Sequence, residues 1–152
     1  MTNQTNHINN TNHISHTNYI SHTNYINHIN KTAIITGASR GIGAAIAKKL
    51  ASCGYNLSLC CRNSSDRLKA LADELHCAYG IEVLCYTGNV GDFFFAKDMV
   101  TNTISHFGHI DVLINNAGIS HIGLLSDMTP EEWNNIVAIN LTGVFNFTKL
   151  VT

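Results

Sequence analysis

The chain has 152 residues, 45% of them hydrophobic, and a formal net charge of −1. That length and composition suit one globular domain, and the near-neutral balance without a basic run excludes the electrostatic footprint of a nucleic-acid binder. No positively charged start precedes an apolar stretch, and no apolar run reaches the length that spans a bilayer, so neither a secretory leader nor a membrane partner is expected and a cytoplasmic location is.

Residues 1–30 carry no Asp, Glu, Lys or Arg and are near-copies of one hexapeptide, clearest in SHTNYI over 15–20 and again over 21–26. A period of six rich in Asn and Thr gives neither a helical stripe nor a strand face. Ordering it would cost more backbone entropy than its few Ile and Tyr offset, so a disordered low-complexity tail is expected. His7, His13, His16, His22 and His28 offer imidazoles to a metal, but no carboxylate or thiolate accompanies them and no spacing fixes a geometry. No metal site is expected. The five cysteines, Cys53, Cys60, Cys61, Cys77 and Cys85, form no C-x-x-C pair and read as small buried hydrophobes in a reducing compartment.

From Lys31 the pattern becomes short apolar runs alternating with helix-period segments, the signature of consecutive βα units on a parallel sheet. Four strands are predicted over 33–36, 57–61, 81–86 and 111–115. Gly54, Gly80 and Gly108 stand just past the three intervening helices, where a left-handed residue is needed. The first helix should bury a stripe of Ile42, Ala45, Ile46 and Leu50. The last has the clearest start: Thr129, Pro130 and Glu132 supply an N-cap, a first-turn proline and the second half of a capping box. A helix from Pro130 to the chain end follows, with Trp133, Ile136, Asn140 and Val144 along an apolar stripe. The fold class is α/β: a Rossmann-like, doubly wound parallel sheet of four strands in the order 3-2-1-4, helices on both faces.

Between the first strand and helix lies TGASRGIG, residues 36–43. A strand, a glycine-rich turn and a helix N-terminus together form an anion site. The glycines let backbone N–H groups approach a pyrophosphate, and the helix dipole favours its charge. The spacing is G-x-x-x-G-x-G rather than G-x-G-x-x-G, so the strand before it and the helix after it carry the argument. Further on come NNAG at 115–118 and Asn140 within NLTG.

These three separated motifs, in this order and spacing, resemble the short-chain dehydrogenase/reductase family, and within it most closely the 3-oxoacyl-carrier-protein reductases. The resemblance covers 31–152 and implies an NAD(P)-binding Rossmann domain of an oxidoreductase that transfers hydride between a nicotinamide cofactor and a small carbonyl or alcohol substrate. It places cofactor contacts at Thr36, Gly37, Ser39, Arg40, Gly41, Ile42, Gly43, Arg62, Asn89, Val90, Asn116, Ala117 and Gly118. Asn89 stands where many members carry an aspartate that touches the adenine, which makes that contact different here. Asn140 matches the family's helix asparagine, whose backbone carbonyl holds a water in the proton relay. The helix that begins at Pro130 resembles one that pairs subunits, so a homo-oligomer is expected.

An acidic residue about 20 positions past the glycine turn would bind a free ribose 2′-hydroxyl. Cys61 occupies that slot and Arg62 follows it. With no carboxylate to repel a 2′-phosphate, and Arg40 and Arg62 able to reach it through forked hydrogen bonds, NADP(H) is expected over NAD(H). The family's acid is the tyrosine of Y-x-x-x-K, with a serine upstream. No tyrosine here has lysine four residues on: Thr23, Ile29, Leu59, Val83 and Val90 follow Tyr19, Tyr25, Tyr55, Tyr79 and Tyr86. The residues present therefore read as the cofactor-binding front of a truncated enzyme, with a non-catalytic nucleotide-binding module or an inactive fragment as the alternative.

Overall fold

The computed structural model describes residues 31–152; the expected disordered tail and its histidines lie outside the described residues. Four parallel strands, β1 (Thr32–Thr36), β2 (Asn56–Cys61), β3 (Val83–Thr87) and β4 (Val112–Ile114), form one sheet in the order β3-β2-β1-β4. This is the predicted order. Ala33 pairs with Leu57 on one side and Val112 on the other, and Leu57 pairs in turn with Val83. β1 is buried along its whole length, as a strand covered on both faces must be, which is why it reads as an unbroken apolar run.

Helices α1 (Gly41–Ser52) and α2 (Ser65–Tyr79) cover one face, and α3 (Phe93–Phe107) and α5 (Gly143–Val151) cover the other. Each face has its own core. Ala33, Ile35, Leu57, Leu59, Leu68 and Leu75 fill the first; Ile34, Cys60, Val90, Met99, Ile139 and Phe147 fill the second. Between β2 and α3, the Ser58 and Thr103 hydroxyls lie 2.7 Å apart, and Thr103 donates to the Met99 carbonyl at 2.7 Å. Thr32 Oγ1 alone is a buried side-chain polar atom without a partner among the described residues.

The stop signals behave as predicted. Gly80 and Gly108 take left-handed conformations at the ends of α2 and α3, with φ of 67° and 86°, and Gly54 follows α1 with φ of 84°. The capping box closes on both sides: Thr129 N–H donates to Glu132 Oε2 at 2.8 Å, and Glu132 N–H to Thr129 Oγ1 at 3.2 Å. Hydrogen bonding to Thr129 holds the Glu132 carboxyl below the usual carboxylate range, helped by the nearby His121. From Pro130 the chain is helical to Val151, but in three parts: α4 (Pro130–Val137), a π-helical turn over Ala138–Thr142, and α5.

Three expectations are corrected. The fully buried face of α1 is Gly43, Ala47 and Ala51; of the predicted stripe Ile46 and Leu50 pack half-buried at its flank, while Ala45 is exposed and Ile42 is 74% exposed. On the long helix, Ile139, Gly143, Asn146 and Phe147 face the core, whereas Trp133, Asn140 and Val144 of the predicted stripe are exposed. Both helix sides are apolar, so periodicity alone did not separate them. Finally, Cys60 and Cys61 are buried but Cys77 and Cys85 are exposed. Burial pushes the Cys60 thiol up to about 12.

Candidate functional site

The C-terminal ends of β1 and β4 flank the point where strand order reverses, where ligands of open α/β sheets bind. A cleft of about 510 Å³ opens there, within the usual range for a small-molecule site. Its walls come from the glycine turn, the end of β2, the 88–90 segment and the loop after β4.

The turn is built by backbone proximity. Gly37 has φ of 68°, and a Cβ there would lie 2.8 Å from Ala117 Cα; a Cβ on Gly43 would lie 2.4 Å from the Gly37 carbonyl oxygen. Glycine is thus demanded twice, once by conformation and once by space alone. Gly41 also has positive φ, at 56°, but its missing Cβ would meet open space. Arg40 caps α1 without a side-chain hydrogen bond and the first turn holds no acidic residue, so the helix N-terminus keeps its unpaired donors and its positive end.

Asn116 and Thr36 lock the turn to the neighbouring loop. Asn116 Nδ2 donates to the carbonyls of Thr36 and Gly37 at 2.9 and 3.1 Å. Thr36 Oγ1 accepts from the Asn116 and Ala117 N–H groups, both at 3.0 Å. Thr36 itself is buried behind the cleft, and Asn115 turns away to donate to Thr148 Oγ1 at 3.2 Å.

Of the predicted cofactor contacts, Gly37, Ser39, Arg40, Gly41, Ile42, Arg62, Asn89, Val90, Asn116, Ala117 and Gly118 line this one cleft, while Thr36 and Gly43 support it from behind. Asn89 bends its own loop, accepting the Gly91 N–H on Oδ1 at 3.0 Å. Asn140 does not line the cleft. Its amide bonds Ile119 twice, accepting the N–H at 2.9 Å and donating to the carbonyl at 2.8 Å, so it anchors the loop that does. Cys60, Asn63, Ser64, Gly88, Ile119 and Ile139 join the lining without having been singled out. Asn63 and Ser64 directly follow Arg62 on the turn into α2, and that adjacency was the signal available.

No lining residue is a carboxylate, and neither Arg40 nor Arg62 is in an ion pair among the described residues. Both guanidiniums are exposed at the rim. The cleft therefore presents backbone donors within and positive charge at its rim, a site for an anionic ligand.

The model for short chain dehydrogenases matches residues 31–152. The 3-oxoacyl-[acyl-carrier-protein] reductase of Staphylococcus epidermidis is 43% identical over 122 residues, covering 80% of this chain and 50% of that protein. The D-beta-hydroxybutyrate dehydrogenase of Cupriavidus necator is 39% identical over 120 residues, 79% and 46% of the two chains. Among solved structures, the alcohol dehydrogenase of Thermococcus sibiricus complexed with 5-hydroxy-NADP superposes with a TM-score of 0.76 at 38% identity, covering 80% of this chain and 51% of that one. A short chain dehydrogenase from Burkholderia cenocepacia in complex with NADP gives 0.79 at 30% identity, covering 82% and 51%. The chain spans about half the length of these relatives. With the family model matched over 31–152 and relatives this similar in sequence and fold, the chain belongs to the short-chain dehydrogenase/reductase family of oxidoreductases.

Proposed function

We propose that the cleft binds NADP(H) in preference to NAD(H), and that the chain is the cofactor-binding half of an oxidoreductase acting on small carbonyl or alcohol substrates. One observation carries the cofactor preference: Arg40 and Arg62 meet at a rim that holds no carboxylate. Gly37, Ser39, Gly41, Ile42 and Gly43 would receive the pyrophosphate against the α1 N-terminus. Arg40 and Arg62 would hold the 2′-phosphate, Asn89 and Val90 the adenine, and Asn116, Ala117 and Gly118 the nicotinamide side. Two solved neighbours described as complexes with NADP favour the same reading.

The bound nicotinamide would supply the hydride, and the protein would supply position, exclusion of water and a proton path. Asn140 fits the last task in one respect. Its side chain holds Ile119, and its backbone carbonyl is the group that would hold a relay water. A second reading is a nucleotide-binding module that takes the cofactor without turnover, since the cleft residues described are all binding groups. The outer face of the long helix, where Trp133, Leu141 and Phe145 are each more than half exposed, suits pairing of two copies. No helix of the described residues is long and apolar enough to cross a membrane.

Fluorescence titration with NADPH and NADH tests the preference. A lower Kd for NADPH is expected; equal or NADH-favouring affinity overturns it. Turnover of a small ketone with NADPH separates the enzyme from the binding module.

A further inference from the structure

Asn146 is a polar residue on the buried face of α5, 2% exposed, beside Phe147 and one turn past Gly143. Burying an amide in such a core costs more than burying an alkyl side chain of the same size unless its hydrogen bonds are made. The bond it makes is specific: Nδ2 donates to the Val90 carbonyl at 3.1 Å, fifty-six positions away in the chain. Val90 belongs to the cleft wall.

The same helical run touches that wall at two more points. A Cβ on Gly143 would lie 2.8 Å from Val90 Cγ2, and a Cβ on Gly91 would lie 2.8 Å from the Ala138 carbonyl oxygen. Those two contacts permit close approach but have no direction. The amide bond has one, and it fixes the rotation of the Val90 peptide. Without it, the 88–91 segment would keep one bond to the sheet, from the Gly88 N–H to the Cys61 carbonyl at 3.0 Å, and beyond Gly88 only the bonds to Asn89, which accepts the Gly91 N–H on its side chain and the Asp92 N–H on its carbonyl within the loop itself.

We propose that Asn146 is a positioning residue for the cofactor cleft, which holds the Val90 carbonyl so that the 88–91 segment forms a fixed wall for the adenine half of the cofactor. The role rests on the cleft being the cofactor site. It is distinct from the role of Asn140, which grips the opposite wall at Ile119.

The test is made on the full chain with Asn146→Leu, which keeps the volume and removes the donor, and Asn146→Ser, which is too short to reach. Thr103→Val, which removes a buried hydroxyl between α3 and β2, serves as the control for general loss of stability. Two quantities are read: amide hydrogen exchange at Gly91 and Asp92, and the Kd for adenosine 2′,5′-bisphosphate. In both Asn146 variants the two amides should exchange at least tenfold faster while the β2 amides stay protected, and the Kd should rise about tenfold, the loss of one oriented hydrogen bond. Thr103→Val should lower the melting temperature and move neither. Wild-type exchange and Kd in Asn146→Leu overturn the positioning role, as does an equal rise in Kd for Thr103→Val. A wild-type chain that does not bind the bisphosphate overturns the cofactor reading and the positioning role with it.

Discussion

The two ends of the sheet are electrostatic opposites. At the C-terminal end of the strands, two arginines stand free at the rim of a cleft with no carboxylate in its lining. At the N-terminal end, the carboxylates are partnered. Asp111 Oδ2 accepts the Thr32 N–H at 2.8 Å and lies 3.2 Å from His109 Nε2. Glu82 Oε2 lies 2.8 Å from His106 Nε2, and the Glu82 N–H is held by Asn56 Oδ1 at 2.9 Å. One end pairs its carboxylates internally and closes the fold. The other leaves donors and charge unsatisfied, which in a folded domain marks the end that takes a ligand.

If that division is right, substitutions at the two ends should separate binding from stability. The largest effect is expected from Gly43→Ala, whose Cβ would lie 2.4 Å from the Gly37 carbonyl oxygen. Backbone must move to admit it, costing about 1–3 kcal/mol of stability. NADPH binding should fall below detection in a fluorescence titration, and binding within tenfold of wild type would show that the turn is not the cradle.

Next comes the double variant Arg40→Ala, Arg62→Ala. Each charged hydrogen-bonding partner is worth roughly 1.5–3 kcal/mol, so NADPH affinity should drop on the order of 100-fold or more while NADH affinity hardly changes. Equal loss for both cofactors would remove the 2′-phosphate assignment. At the other end, Asp111→Asn should lower stability by about 1 kcal/mol in chemical denaturation, through one weakened hydrogen bond and one weakened ion pair, and leave the Kd for NADPH unchanged. A change in Kd there would break the division between the ends.

At neutral pH the smallest effects are those of titration, because both shifted groups change charge only well away from it. Cys60 titrates near 12 in the fold, above its ordinary 9.0. The unfolded chain therefore loses this proton first as pH rises, and the stabilising contribution, full below pH 9, should decline between pH 9 and 12. Glu132 is shifted the other way. Its contribution is present above the ordinary carboxylate range and should be lost as pH falls through its lowered value, seen as fraying of α4 by amide exchange.

Most of the sheet was legible because a buried parallel strand is nearly all apolar, and because the glycines after α2 and α3 take the left-handed turn they were read for. The cleft was legible for a related reason: Gly37 and Gly43 sit where no other residue fits, so chemistry and spacing coincide. What stayed hidden has physical causes too. The fully buried face of α1 is Gly and Ala, which carry little hydropathy, so the predicted stripe caught only its flank, Ile46 and Leu50, and took in the exposed Ile42. The π-helical turn has no local signature, and it changes which residues of the long helix share a face. Asn146 was invisible because its partner, Val90, is brought to it only by packing of α5 against the 88–91 segment.

The stack of Gly43 on Gly37 on Ala117 has a further consequence. Helix, turn and loop meet there at main-chain atoms and at one side chain, the Asn116 amide, whose Nδ2 would lie 2.6 Å from a Cβ on Gly43 and 3.0 Å from one on Gly37. Their separation is set by backbone contact and one hydrogen-bonded amide, with no apolar side chain as a spacer. The leucines and isoleucines of the two cores can be exchanged for others of similar volume, shifting stability up or down, without resetting the gauge at which this mouth is cut. Core tuning and binding geometry are thus adjusted on separate dials.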